Sequence, residues 1–239
     1  MLRSLKKLYG GKLIATDGEI GTIKDFYFDT RNWVIRYLVA DTGDWLSGRK
    51  VLILPHFLAT PFPSGKVDRV NLTRKKIEKS PSIDAHQPFS RQDEERHYKY
   101  YGRPPYWTTK ATDMVGPQPE SAASLRSIQA VNGYLVRVGD ETIGYVCDFM
   151  MDTKGGKIGQ LVVKTGHRFS GKDSLIPAKR VQRICYADST IFAYANPETA
   201  GQIPANNLVP PGIVLNLQTR TSSTDKIQNY EHSLCCPRP

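Results

Sequence analysis

Histidine and cysteine are sparse in this chain, and neither falls into a pattern that could hold a metal. The five histidines (His56, His86, His97, His167 and His232) form no HxxxH pair, and the four cysteines show neither CxxC nor Cys/His spacing. Cys147 and Cys185 lie in apolar stretches and read as small buried side chains; the adjacent Cys235 and Cys236 make poor disulfide geometry with each other. A reducing, cytoplasmic compartment fits this usage. Long apolar runs are also missing. The longest candidate, Val51 to Leu58, is broken by Pro55 and His56, far short of the ~18–20 residues a spanning helix needs. The opening MLRSLKKLYGGK is basic without an apolar h-region and does not read as a signal peptide. No GxxxxGK[ST] loop or GxGxxG fingerprint offers a phosphate cradle. The expectation is a chain with no cofactor that is neither membrane-spanning nor Sec-secreted.

What is present begins with charge. The formal net charge is +10, which invites an anionic partner. The excess is uneven: about +7 over residues 1–80, about −1 over 81–124, about +3 over 125–200 and about +1 in the remainder. One cluster, Arg74, Lys75, Lys76 and Lys79, reads either as a solvated basic helix or as a patch for an anionic partner. A hydrophobic share of 39% is enough for folded cores, so a fully disordered chain is excluded.

The most informative pattern is a repeat. Shifted by about 123 residues, LRSLKKLYGGKLIATDGEIGTIKDFYFDT falls on LRSIQAVNGYLVRVGDETIGYVCDFMMDT, with about 18 identities over residues 2–48 and no gap. Leu2/Leu125, Ser4/Ser127, Gly21/Gly144, Asp25/Asp148, Phe26/Phe149 and Asp29/Asp152 are among them. Each copy reads as β structure. In the first the strands run approximately over Lys12–Thr16, Glu19–Asp29, Val34–Asp41 and Arg49–Leu54, with a hairpin around Pro63-Ser64-Gly65. In the second strand the apolar positions Ile20, Ile23, Phe26 and Phe28 are spaced three, three and two, where a flat strand keeps a period of two. Bulges near Gly21/Gly144 and Asp25/Asp148 account for that spacing and let a short sheet curl into a barrel. The expected fold is all-β: two tandem small barrels from an internal duplication, with a short helix after the first.

The expected boundaries are a first barrel over 1–82, a linker over 83–124, a second barrel over 125–200 and a mobile tail over 201–239. The linker is rich in Pro, Ser and charge, yet its centre holds Tyr98, Tyr100, Tyr101, Tyr106 and Trp107. Those rings read either as a strap packed across both barrels or as an exposed docking segment.

DGEIGTIKDFYFD followed by WVIRYLVADTGDWLSGRKVLILP resembles the PRC-barrel domain, named from the cytoplasmic part of the photosynthetic reaction-centre H subunit. VNLTRKKIEKSP resembles the closing strand and short helix of bacterial two-copy members, and YYGRPPYW resembles their aromatic linker. The second copy departs from the pattern: Gly155-Gly156 stands for Asn32-Trp33, and no TRKKIEKSP helix follows it. The resemblance implies the barrel fold but no single function. Relatives include the H subunit, whose barrel helps route protons to a quinone, and a ribosome maturation factor that helps bind a ribosomal protein.

No catalytic constellation stands out. Asp25 and Asp29, four residues apart on a strand, would be about 13 Å apart, beyond the roughly 5–9.5 Å of paired catalytic carboxylates. A non-enzymatic protein-interaction or adaptor module is expected, with Asp41, Asp44, Trp45, Tyr100, Tyr101, Tyr106 and Trp107 as candidate partner-binding residues. RNA or ribosome-assembly binding through Arg74, Lys75, Lys76 and Lys79 is the alternative, and a role beside a photosynthetic or electron-transport membrane complex is the third reading. Peripheral membrane contact and self-association stay open.

Overall fold

The computed structural model of the chain describes residues 2–60, 66–82, 89–108, 125–165 and 173–194. The first copy supplies β1 (Leu2–Ser4), β2 (Lys12–Ala15), β3 (Gly18–Asp29), β4 (Val34–Asp41), β5 (Lys50–Ile53) and β6 (Val67–Arg69), then helices α1 (Arg74–Glu78) and α2 (Arg91–Tyr101). The second supplies β7 (Leu125–Ser127), α3 (Ile128–Val131), β8 (Leu135–Val138), β9 (Glu141–Asp152), β10 (Ile158–Lys164), β11 (Asp173–Pro177), β12 (Val181–Cys185) and β13 (Thr190–Ala193). The fold is mostly β, in two sheets. The hairpin expected around Pro63, His86, His167, His232, Cys235, Cys236 and the tail from 201 onward lie outside the described residues.

The sheets run in the order β5-β4-β3-β2-β6 and β11-β10-β9-β8-β13-β12. The expected bulges are where the hydrophobic spacing put them. Registers slip between Leu13 and Ile14 opposite Gly21, between Ile23 and Asp25, and at the matching points of β8 and β9 and of β9 and β10. A Cβ on Gly21 would stand 1.9 Å from the Asp41 carbonyl oxygen, and one on Gly144 2.2 Å from that of Lys164. Only glycine lets those strands approach so closely, which is why both copies carry it.

The curled sheets do not close into uninterrupted barrels, a correction to the expectation. Among the described residues no ladder joins β11 to β12, because the chain turns that corner through a single 3-10 turn, Ala178–Arg180. In the first copy the turn Pro55–Phe57 does the same, and Leu58 then bridges Val70.

A second departure is larger. The opening strand of each copy does not join its own sheet. β1 pairs antiparallel with β9, Leu2 opposite Asp152, while β7 pairs with β3, Leu125 opposite Asp29. The exchange is held by matching side chains. Ser4 Oγ donates to Asp148, and Asp148 Oδ1 also accepts Lys6 N at 3.0 Å and Phe149 N at 2.7 Å. In the mirror arrangement Ser127 Oγ donates to Asp25, whose Oδ1 accepts Gln129 N at 3.1 Å and Phe26 N at 2.7 Å. Each serine also accepts from the backbone three residues on, Lys7 N or Ala130 N, so it caps the turn that follows its strand. The repeated Ser and Asp therefore form inter-copy caps. Burial pushes the Asp25 carboxyl above its ordinary value, and its three donors pull it back.

A second seam reinforces the first. Ile35 N donates to Gly156 O at 2.9 Å, Ile158 N donates to Trp33 O at 2.7 Å, and Phe28 meets Phe149 at 6.2 Å. One contiguous core, containing Leu5, Phe26, Phe28, Ile128 and Phe149, runs through both copies. Asp148→Ala is expected to remove an acceptor from three donors and cost about 1–3 kcal/mol, read as a lowered urea midpoint. A midpoint within error of the parent would mean the cap does not hold the exchanged strand.

Candidate partner-binding site

The loop after β4 and the start of α1 build a groove on the first copy, about 600 Å³ in volume. Asp41 ends β4, and its Oδ1 accepts Gly43 N at 3.1 Å, which starts the tight turn Gly43–Leu46. Thr42 Oγ1 closes that turn by donating to Arg49 O at 2.7 Å. The turn leaves Asp44 exposed and holds Trp45 half-buried against the core. Glu19, Thr22, Asp41, Trp45 and Arg74 line the groove, with the Gly21 backbone among its walls.

Arg74 reaches it because α1 is fixed at both ends. Thr73 caps the helix by accepting Lys76 N, and Asp17 Oδ1 accepts Arg74 N at 2.7 Å. At the other end Arg49 donates to Glu78 O and Ser80 O, and the Tyr100 hydroxyl donates to Lys76 O at 2.7 Å. Ile77, fully buried, anchors the helix to the core. The Arg74 guanidinium then lies 4.4 Å from the centre of the Trp45 ring. The fold thus merges two groups that the sequence lists apart, the acids and Trp45 of the turn with the basic helix. Lys75, Lys76 and Lys79 stay exposed beside them. Glu19 on β3 and Arg49 just before β5 also belong to this neighbourhood and do not stand out in the sequence, since only the curl of the sheet brings them near.

Of the two readings of the aromatic segment, a packed strap and an exposed docking segment, the structure favours packing. Residues 91–101 are helical, started by a capping box in which Ser90 and Asp93 bond reciprocally. Tyr101 is buried, and Tyr100, Tyr106 and Trp107 are half-buried. The rings pack on the first copy: Tyr37 meets Phe89 at 5.4 Å and Tyr98 at 6.3 Å, and Phe57 meets Tyr101 at 5.1 Å. Arg36 lies 3.7 Å over Tyr106 and Arg91 3.9 Å over Trp107. The strap therefore covers one copy, where a strap across both was one expectation.

Beneath it lie two ionisable residues that the sequence did not single out. Glu94 is 3% exposed and His97 1%. Burial lifts the Glu94 carboxyl to about 7, against the pull of Arg91 and Arg36. Burial lowers His97 to about 4, and among the described residues neither imidazole nitrogen has a hydrogen-bond partner.

The second copy does not repeat the groove's chemistry. Thr142 and Lys164 stand where the first copy has Glu19 and Asp41. Among the described residues no group of three or more His, Cys, Asp or Glu could hold a metal, and no helix is long and apolar enough to cross a membrane. Cys185 is buried and Cys147 half-buried.

Fold and groove define a duplicated small-barrel protein with one differentiated copy. The sequence profile of the PRC-barrel domain matches residues 2–79 and 129–193, more than half of the chain, and the protein belongs to the PRC-barrel family. No curated protein matches the chain.

The buried pair gives a pH test of the strap. The fold favours neutral Glu94, so its contribution is complete below about pH 4.5 and is lost as pH rises through about 7. The fold also favours neutral His97, whose contribution is complete above about pH 6.5 and is lost as pH falls through about 4. The two slopes oppose each other. Glu94→Gln is expected to unmask stability that climbs between pH 4 and 6.5, and His97→Gln stability that falls between pH 4.5 and 7, both read from urea midpoints. Flat profiles in both variants would contradict this placement of α2.

Proposed function

We propose that this PRC-barrel chain is a non-enzymatic protein-interaction module whose docking site is the Trp45–Arg74 groove of the first copy. The observation that carries the reading is the mixed character of that groove. An aromatic anchor with a guanidinium on its face stands among carboxylates at Glu19, Asp41 and the neighbouring Asp44. Aromatic and Arg anchors ringed by polar groups are the composition of protein interfaces. A polypeptide carrying a basic residue beside an apolar one meets both needs, the cation at the acids and the apolar group on Trp45.

The acids around α1 argue against a polyanion there. Arg74, Lys75, Lys76 and Lys79 stand next to Asp17, Asp44 and Glu78, so the local field is far weaker than the basic run alone implies. Tyr98 and Tyr101, buried in the strap, are likewise withheld from base stacking.

Affinity capture from the host with the tagged chain, in parallel with Trp45→Ala and Arg74→Ala, tests the reading. The expected result is a partner that survives RNase and falls at least about tenfold in both variants, as loss of an interface anchor predicts. Folding of each variant is checked by circular dichroism. Capture that is unchanged by both substitutions would overturn the groove assignment.

A further inference from the structure

We propose that the outer face of the β8–β13–β12 sheet binds single-stranded nucleic acid, with Arg137, Phe192 and Arg183 as its central row. The site lies in the second copy and is independent of the groove described above.

The row follows from register. Phe192 pairs with Arg183 on one side and with Arg137 on the other, so the three side chains stand abreast across three strands. Val136, Ile191 and Ala193 are buried, and strand alternation turns their neighbours Arg137 and Phe192 outward. The Arg183 guanidinium lies 3.9 Å from the centre of the Phe192 ring and that of Arg137 5.8 Å from it. Leu135 and Tyr194 extend the face at 47% and 56% exposure.

The charge of the three strands is one-sided, with Asp140, Glu141 and Asp188 at their flanks; Arg137 Nη2 donates to Asp140 O at 2.9 Å and Arg180 Nη2 to Tyr194 O at 2.7 Å. The three strands read LVRV, TIFA and VQRIC, without a single carboxylate, and the turn that leads into β12 adds Lys179 and Arg180. Among the described residues no carboxylate pairs with Arg137 or Arg183, whereas nearby Asp188 accepts the Cys185 thiol at 3.0 Å. Such a surface fits an anion that also brings flat apolar faces. Single-stranded nucleic acid does both, phosphates meeting guanidiniums and bases stacking on aromatic and guanidinium planes; a duplex keeps its base faces covered. The chain's own residues 195–239, which follow Tyr194, carry as many basic as acidic residues and offer no such anion. The first copy lacks the row, because Ile14 and Arg69 hold the corresponding pair of positions.

The test is fluorescence anisotropy of the full chain with a labelled 12-nucleotide RNA of mixed sequence, its DNA counterpart and a 12-base-pair duplex, over a series of salt concentrations. The expected result is binding to the single strands that weakens steeply with salt, with the duplex weaker. Arg183→Ala and Phe192→Ala are each expected to weaken binding about fivefold or more, as loss of one stacking or phosphate contact predicts. Phe192→Tyr, which keeps the ring, should retain it, and so should Lys75→Ala. No binding at low salt overturns the proposal, as does binding that ignores Arg183 and Phe192. Equal competition by polyglutamate also overturns it, since the face would then take any acidic polymer, an acidic protein segment included.

Discussion

The exchange of opening strands is the constraint on which the rest of this molecule depends. Three residues, Leu-Arg-Ser, cannot hold a strand by ladder hydrogen bonds alone. They are held because Asp148 and Asp25 each gather a serine hydroxyl and a backbone amide from the other copy and an amide from their own. A carboxylate taken out of water needs such donors, and the donors need the carboxylate, so neither half is complete alone. The two sheets consequently share one core across Phe28 and Phe149.

With the halves joined in this way, the copies can differ elsewhere. The first carries α1 and the strap α2, and α1 helps frame a groove with acids, Trp45 and Arg74. In the second copy Lys164 and Thr142 remove two of the acids, while its outer sheet face carries the row of Arg137, Phe192 and Arg183. Two copies that differ in this way give one body two unlike surfaces, more area than an isolated small barrel has to supply.

Much of the fold is legible in the sequence because its signals are local. The repeat and the three-three-two spacing of β3 fix strands and bulges within a residue or two of where they lie. What escaped is non-local. Nothing in LRS identifies its partner strand, since the same triplet would fit either sheet, and the role of Asp25 becomes visible only when Ser127 stands beside it. The linker's helix was signalled by Ser90 and Asp93 three apart, a capping box obscured by the surrounding prolines. Trp45 and the basic helix were read as separate sites because 29 residues part Trp45 from Arg74 in the chain, while curl and cap bring them to 4.4 Å. Composition leaves Tyr101 open between strap and docking segment, because its packing on Phe57 depends on where α2 docks.

The most direct test of the interlocked body is differential scanning calorimetry of the full chain. Strand exchange predicts a single transition whose calorimetric and van't Hoff enthalpies agree, because neither copy can unfold without stripping a strand and a cap from the other. Two separable transitions would show copies that fold independently, and would contradict the account.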